Sequence, residues 1–193
     1  MTVPDQRPAL EERFLQPPGW VWGAFKSTKN QSLRYGSLYP AGGAPDAIIV
    51  LLPGRSEFIE KYFETARDLT GKNFAVWVID WIGQGKSERP FRFPQRGNSP
   101  DFSRHVDDLH EFIGGLVKKA ALRPDGTPIP LVMLGQSMGG HVGLRYLHTH
   151  PGNFSAAVLC APMLKIKDLK SLPLPLAAIL VKMLGLAFGM HSA

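Results

Sequence analysis

Four short runs of apolar residues, separated by helical patterns, constrain the fold of this chain more than any other feature. Continuous apolar runs of this length are typical of strands buried on both faces of a sheet. Strand-like and helix-like segments alternate along the chain in the order 47–54, 57–73, 74–80, 101–120, 129–135, 137–149 and 155–162. This alternation predicts an α/β fold with a mostly parallel sheet and helices on both of its faces.

Three further details refine this prediction. Residues 19–27 and 32–40 alternate in polarity, which predicts two short antiparallel strands before the parallel part of the sheet. The paired glycines Gly114 and Gly115 weaken the middle of the helix over 101–120. In the helix over 57–73, the side chains that recur at three- and four-residue steps are Phe58, Tyr62, Phe63, Ala66 and Leu69.

Composition excludes several classes of protein. The 193 residues include 44% hydrophobic and 20% charged residues, which indicates one globular domain and not a disordered chain. The net charge is +6, but the basic residues are spread along the chain, so we expect a solvated surface and no nucleic-acid partner. The single cysteine, Cys160, excludes an intrachain disulfide and is predicted to be a small buried hydrophobe. The N-terminal segment lacks the apolar stretch of a secretory signal, which favours a cytoplasmic protein.

The motif Gly-Gln-Ser-Met-Gly at 135–139 is the strongest chemical signal. It fits G-x-S-x-G, and it lies between a predicted buried strand and a predicted helix, where this motif forms a nucleophile elbow. Gly135 and Gly139 lack Cβ atoms, so strand and helix can pass closely on either side of Ser137. The backbone N–H of Met138, at the helix N-terminus, faces a developing oxyanion.

Two other turns follow predicted strands. In "LLPGRSEF" (51–58), the N–H of Arg55 is a candidate second oxyanion donor, although an ordinary strand-to-helix turn is the alternative. In "DWIGQGKS" (80–87), the glycines suggest a phosphate loop, but the spacing of known phosphate loops is absent, so we expect a structural turn.

Four acidic and imidazole side chains on the helix over 101–120 raise the question of a metal site. Their spacing of two, three and five residues distributes them over different faces of the helix, so we expect no metal site. These residues are His105, Asp107, Asp108 and His110.

Together, "LLPGRSEFIEKYFETARDL", "FAVWVIDWIGQGKSERP", "GQSMGGHVGLRYL" and "FSAAVLCAPMLKI" resemble the α/β-hydrolase superfamily. The similarity is greatest to its lysophospholipase and monoacylglycerol-lipase branch, and to the bacterial lysophospholipase L2 group within it. Pro53 stands where that branch usually has histidine before the oxyanion glycine. The resemblance implies a serine ester hydrolase for lipid esters that needs no cofactor. Ser137 would form an acyl-enzyme, with the Arg55 and Met138 amides as oxyanion hole.

The sequence offers few candidates for the acid and the histidine that would act with Ser137. In this fold an acid and then a histidine follow the serine, and only Asp168 with His191 satisfies that order. Neither follows a predicted strand, and His141 lies one turn into the helix, directed away from the Ser137 hydroxyl. We therefore expect the C-terminal strands of the fold, with the triad acid and histidine, to be missing from these residues.

The resemblance divides the chain into an N-terminal arm (1–18), the N-terminal part of an α/β-hydrolase core (19–170) and the start of an apolar lid (171–193). Residues 172–190 are nearly all apolar, which also suits peripheral contact with a membrane surface.

Three alternatives remain open. The chain could be another α/β-hydrolase, such as a peptidase or a haloperoxidase-like protein, or a non-catalytic homologue that binds lipid. It could also be a membrane protein with a single span over 172–190, although Lys182 interrupts that segment. No feature of the sequence predicts an oligomeric state.

Overall fold

Six strands form one mixed sheet in the computed structural model, which describes residues 11–90 and 102–164. Along the sheet the strands lie in the order β1-β2-β4-β3-β5-β6. Their bounds are β1 Val21–Lys26, β2 Ser32–Leu38, β3 Ala47–Leu52, β4 Phe74–Ile79, β5 Leu131–Gln136 and β6 Ala156–Cys160.

The pairing of the strands confirms the predicted α/β architecture. β1 and β2 form an antiparallel pair, and β2 is antiparallel to β4. β3 is parallel to both β4 and β5, and β5 is parallel to β6. The four apolar runs are therefore the parallel part of the sheet. β3 lies between β4 and β5, and all six of its residues are buried.

The helices follow the predicted segments with two differences. They are α1 Phe63–Thr70, α2 Ser103–Phe112, α3 Lys118–Ala120 and α4 Met138–Thr149. The helix expected over 57–73 begins with a 3₁₀ turn at Ile59–Tyr62, and Phe58 before it is 42% exposed. Ile59, the first residue of this 3₁₀ turn, is fully buried.

The helix expected over 101–120 is not uniformly α-helical. A π-helical turn, Ile113–Val117, separates α2 from α3 and contains Gly114 and Gly115. Two adjacent glycines carry the lowest helix propensity after proline. The weak point predicted from the sequence is therefore the place where the hydrogen-bonding pattern changes.

Alternate side chains of the central strands enter two separate hydrophobic cores. Ile48, Val50 and Leu52 of β3 join the core that includes residues of α2 and α4. Ile49 and Leu51 of the same strand join the core that includes Phe63 and Ala66 of α1. Since successive residues of a strand point to opposite faces, helices cover both faces of the sheet, as predicted.

Cys160 corrects one expectation. It lies at the end of β6 and is exposed, so the prediction of a small buried hydrophobe was wrong. The strand pairs only with β5 in the described part of the chain, and Val158 on the same strand is 52% exposed. An apolar run therefore predicted the strand correctly but not its burial, because burial depends on what covers the strand.

Several expectations fall outside the described residues. The contacts of the chain divide it into two compact units, Met1–Met163 and Leu164–Ala193, and the strands and helices above belong to the first. Asp168, His191 and the apolar segment 172–190 lie outside the described residues. Among the helices of the described part, none combines the length and apolarity needed to cross a bilayer.

Asp108 on α2 is a buried charge without good compensation. Its residue is 0% exposed, and within the described part of the chain neither carboxylate oxygen accepts a hydrogen bond. The nearest cation is Arg104, whose Nε lies 4.0 Å from Asp108 Oδ2. Burial raises the pKa of Asp108 to about 6, although Arg104 opposes the rise.

We predict that Asp108→Asn stabilises the protein more at pH 7.5 than at pH 4.5. The folded protein holds the Asp108 proton to a higher pH than the unfolded chain does, so the stability of the wild type falls as pH rises through the interval between the two pKa values. The free energy of unfolding of the variant minus that of the wild type, measured by urea unfolding, should increase by about 2 kcal/mol from pH 4.5 to pH 7.5. Asp46→Asn, at an exposed aspartate, is the control. The same difference in free energy of unfolding between variant and wild type at both pH values would contradict the prediction.

Candidate functional site

Ser137 lies at the junction of β5 and α4 in a backbone conformation that few residues adopt. Its φ is 49° and its ψ is −111°, which costs a residue other than glycine on the order of 1–3 kcal/mol. Its N–H donates to the carbonyl of Cys160 at 2.9 Å. Its own carbonyl accepts from the N–H groups of His141 and Met163, at 3.1 and 3.0 Å. Both sides of the strained residue are thus held by backbone hydrogen bonds.

The glycines around Ser137 stand where two stretches of backbone approach each other. A Cβ on Gly139 would lie 2.0 Å from the carbonyl oxygen of Leu52, at the end of β3. A Cβ on Gly135 would lie 2.8 Å from the Cα of Gly140. Any larger residue at either position would force backbone to move, so close packing of α4 against the end of β3 requires glycine.

The turn after β3 lies directly beside Ser137. A Cβ on Gly54 would be 3.3 Å from the Cβ of Ser137. The chain passes from β3 to β4 on one side and later returns to β5 on the other, so the two turns meet where the strand order reverses. Ligands of open α/β sheets bind at this kind of crevice, outside the carboxyl ends of the strands.

The side chain of Glu57 bridges the two ends of the turn after β3. Its Oε2 accepts the N–H of Gly54 at 2.6 Å and the hydroxyl of Tyr62, and its Oε1 lies 3.0 Å from Lys61 Nζ. Burial raises the pKa of Glu57, but these hydrogen bonds outweigh burial and leave the pKa below its usual value. Glu57 is therefore a carboxylate at neutral pH, and it fixes the backbone that precedes Arg55.

The turn over 80–87 supports the same backbone from the other side. The indole Nε1 of Trp81 donates to the carbonyl of Pro53 at 2.8 Å. Gln84 Nε2 donates to the carbonyl of Gly54 at 3.3 Å, and Gln84 Oε1 accepts the N–H of Ser56. This segment was predicted to be a structural turn, which the structure confirms, but its contacts with the turn after β3 were not predicted. No local pattern in the sequence indicates these contacts, because they arise only when β3 and β4 are neighbours and both turns end at the same edge of the sheet.

Asp80, the first residue of that turn, is buried and accepts hydrogen bonds from three chain segments. Its Oδ1 accepts the N–H of Ile59 at 2.9 Å, and its Oδ2 accepts the N–H of Lys86 at 2.9 Å and Nε of Arg34 at 2.7 Å. Burial raises the pKa of Asp80, while the bonds from Lys86 and Arg34 oppose that rise. A Cβ on Gly85, whose φ is +50°, would lie 2.0 Å from the carboxylate, so the turn wraps tightly around it.

Four of the described histidines make packing contacts with rings. The ring of His141 lies 4.9 Å from that of Phe102, and the ring of His105 lies 5.3 Å from that of Trp81, measured between centroids. The rings of His110 and His150 stack at 4.2 Å between α2 and the end of α4. Within residues 11–90 and 102–164, no three His, Cys, Asp or Glu side chains cluster closely enough to hold a metal ion.

A strained serine between a strand and a helix, beside a glycine turn from the neighbouring strand, is the arrangement of an α/β-hydrolase. The family described as serine aminopeptidase, S33, matches residues 43–191. The chain belongs to this family. The match begins before β3 and so includes every parallel strand described above.

Curated relatives are similar over the same region. Lysophospholipase L2 of Escherichia coli (strain K12) is 38% identical over 121 residues, which are 63% of this chain and 34% of that protein. Human monoglyceride lipase is 31% identical over 121 residues, which are 63% of this chain and 36% of that protein. The matched region therefore spans about a third of the length of these relatives.

Solved structures share the fold. A monoacylglycerol lipase from Paleococcus ferrophilus is 27% identical with a TM-score of 0.55, over 79% of this chain and 51% of that one. A thermostable carboxyl esterase from Bacillus coagulans has a TM-score of 0.61 at 22% identity, over 75% of this chain and 44% of that one. These similarities establish the α/β-hydrolase fold for this chain.

We predict that Gly139→Ala lowers the free energy of unfolding by about 3 kcal/mol, because the added methyl group meets the backbone of Leu52 and Pro53. Urea unfolding measures the change. Gly114→Ala is the matched control, since a Cβ there meets nothing within 4 Å and alanine favours the helix. Equal stability of the two variants would contradict the close approach described here.

Proposed function

We propose that Ser137 is the nucleophile of a carboxylic-ester hydrolase that acts on lysophospholipid or monoacylglycerol. The observation that carries the proposal is the conformation of Ser137, a positive φ at the start of α4 beside the turn of Gly54. A strained residue of this kind survives only where the surrounding structure determines it, and such residues cluster at active sites. Folding stability alone gives no reason for a serine here.

In the proposed mechanism, Ser137 Oγ attacks the ester carbonyl carbon while a general base takes the hydroxyl proton. The carbonyl oxygen becomes an oxyanion, which the N–H groups of Met138 and Arg55 stabilise together with the N-terminus of α4. The C–O bond of the leaving alcohol then breaks, the base returns the proton to that alcohol, and an acyl-enzyme remains. Water attacks the acyl-enzyme by the same route and releases the fatty acid.

The proposal assigns the general base and its acid to positions outside the described residues. Its support is the triad order of this fold, in which the acid and histidine follow the serine. The described histidine nearest to Ser137 in sequence, His141, packs edge-to-face on Phe102. No metal or organic cofactor takes part in this mechanism.

The names of the relatives support the lipid substrate. The E. coli relative is a lysophospholipase and the human one a monoglyceride lipase. We propose that residues 171–193 begin a lid over the acyl chain, that 172–190 make peripheral contact with membranes, and that 1–18 form an arm. The support for the lid and the contact is the apolar sequence of 172–190. Two carbonyls of the arm, on Arg13 and Leu15, accept hydrogen bonds from the guanidinium of Arg67.

A second candidate function is hydrolysis of a peptide. Its support is the description of the matching family as a serine aminopeptidase. The same nucleophile and oxyanion hole would serve both reactions, because esters and amides pass through similar tetrahedral intermediates. The two candidate functions are therefore distinguished by comparing the rates on ester and peptide substrates, and not by the structure around Ser137.

We predict that Ser137→Ala abolishes hydrolysis of lysophosphatidylcholine and 2-monoacylglycerol, and also labelling by a fluorophosphonate probe. The protein is assayed in its complete natural reading frame, with an aminoacyl p-nitroanilide as the peptidase substrate. Ser155→Ala, at an exposed serine before β6, should retain wild-type activity. Faster turnover of the nitroanilide would favour the peptidase. Lipid turnover retained by Ser137→Ala would refute the nucleophile.

A further inference from the structure

We propose that Gln84 is a positioning residue of the oxyanion hole: its carboxamide sets the orientation of the peptide group between Gly54 and Arg55. The inference rests on the proposed function, since it concerns the N–H of Arg55 as an oxyanion donor. It adds a role for the turn over 80–87, which the sequence identifies only as structural.

The two ends of the Gln84 carboxamide bind on both sides of Arg55. Gln84 Nε2 donates to the carbonyl of Gly54 at 3.3 Å, and Gln84 Oε1 accepts the N–H of Ser56. One planar group thus contacts the residue before and the residue after the proposed donor. A single side chain that both donates and accepts is needed for this pair of contacts, and glutamine supplies both.

Because the peptide bond is planar, the hydrogen bond to the Gly54 carbonyl also sets the direction of the Arg55 N–H. The carbonyl of Gly54 and the N–H of Arg55 belong to one peptide group. In a trans peptide the C=O and N–H bonds point in opposite directions, and the group rotates as a unit. A hydrogen bond that holds the Gly54 carbonyl toward Gln84 therefore directs the Arg55 N–H away from Gln84.

The second contact stabilises a backbone that would otherwise relax. Ser56 has a φ of 59°, which is unfavourable for residues other than glycine, asparagine and aspartate. Its N–H is held by Gln84 Oε1, while Gly54 N–H on the other side of Arg55 is held by Glu57. Without Gln84, the Gly54 carbonyl and the Ser56 N–H would lose these two bonds, while the bond from Gly54 N–H to Glu57 would remain.

Gln84 is itself held in place. Its N–H donates to the carbonyl of Trp81 at 2.9 Å, and its carbonyl accepts the N–H of Ser87 at 3.1 Å. Trp81 in turn donates to the carbonyl of Pro53, and Asp80 anchors the turn through Lys86. The carboxamide therefore projects from a backbone that is fixed relative to the turn it supports.

The test compares two substitutions of Gln84 in the protein of the complete reading frame. Gln84→Met keeps the length of the side chain but removes both hydrogen bonds. Gln84→Glu keeps an acceptor for Ser56 N–H but has no donor for the Gly54 carbonyl. Lys86→Ala is the matched control, because its side chain is 76% exposed and its N–H bond to Asp80 remains available. Each variant is assayed on a p-nitrophenyl ester, together with inhibition by an alkyl trifluoromethyl ketone, which forms an oxyanion on Ser137.

We expect both Gln84 variants to lower kcat about tenfold to a hundredfold, with KM within about twofold of wild type. This is less than complete loss of an oxyanion donor, which costs about a hundredfold to a thousandfold. The inhibition constant of the ketone should rise by the same factor as kcat/KM falls, because a positioning residue acts on the oxyanion. Lys86→Ala should match wild type, and thermal unfolding should show every variant folded at the assay temperature.

Two results would overturn the role of Gln84: an unchanged kcat in Gln84→Met, or a lower kcat with an unchanged inhibition constant for the ketone. Ser137→Ala separates this failure from failure of the proposed function. If Ser137→Ala is inactive while Gln84→Met is fully active, only the positioning role is wrong. If Ser137→Ala remains active, the nucleophile assignment is wrong, and the positioning role falls with it.

Discussion

The buried carboxylate of Asp80 is the interaction on which the arrangement of this site depends. It has no exposure to solvent, so its charge must be compensated from within the protein. The compensation comes from Arg34 on β2, from the N–H of Ile59 after β3, and from the N–H of Lys86 after β4. Arg34 also makes two hydrogen bonds of 2.7 Å to Glu60. One charge thus joins segments that are far apart in sequence, and it ties the turn over 80–87 to the segment that follows β3.

The strain at Ser137 is tolerated because rigid elements surround it. β3 pairs with β5 from Ile48 to Leu52, and α4 packs so closely on the end of β3 that only glycine fits at position 139. The sheet and the helix therefore determine the path of the chain between them, and that path requires a positive φ. The turn after β3 is less regular, so it depends on side chains, with Glu57 on one side and Gln84 on the other.

The features that the sequence predicted are those encoded within a few consecutive residues. The apolar runs predicted the parallel strands, and the G-x-S-x-G pattern predicted the glycines and Ser137 at the start of α4. The pair of Arg34 and Asp80 spans 46 residues and leaves no periodic pattern, so it could not be predicted in this way. The contact of Gln84 with Ser56 is hidden for the same reason, since it requires knowledge that β3 and β4 are neighbours. The prediction that Cys160 is buried was wrong, because the apolar sequence of a strand does not reveal whether another layer covers it.

At position 137, the residue that the backbone conformation favours differs from the residue that the proposed reaction requires. A φ of 49° with a ψ of −111° is open to glycine at almost no cost, so glycine would make a more stable protein at this position. A population of variants selected for thermal stability alone would therefore drift toward glycine at 137 and lose the hydroxyl. Under the proposed role of Ser137 as the nucleophile, serine would be retained at this position only in related sequences that are still under selection for catalysis.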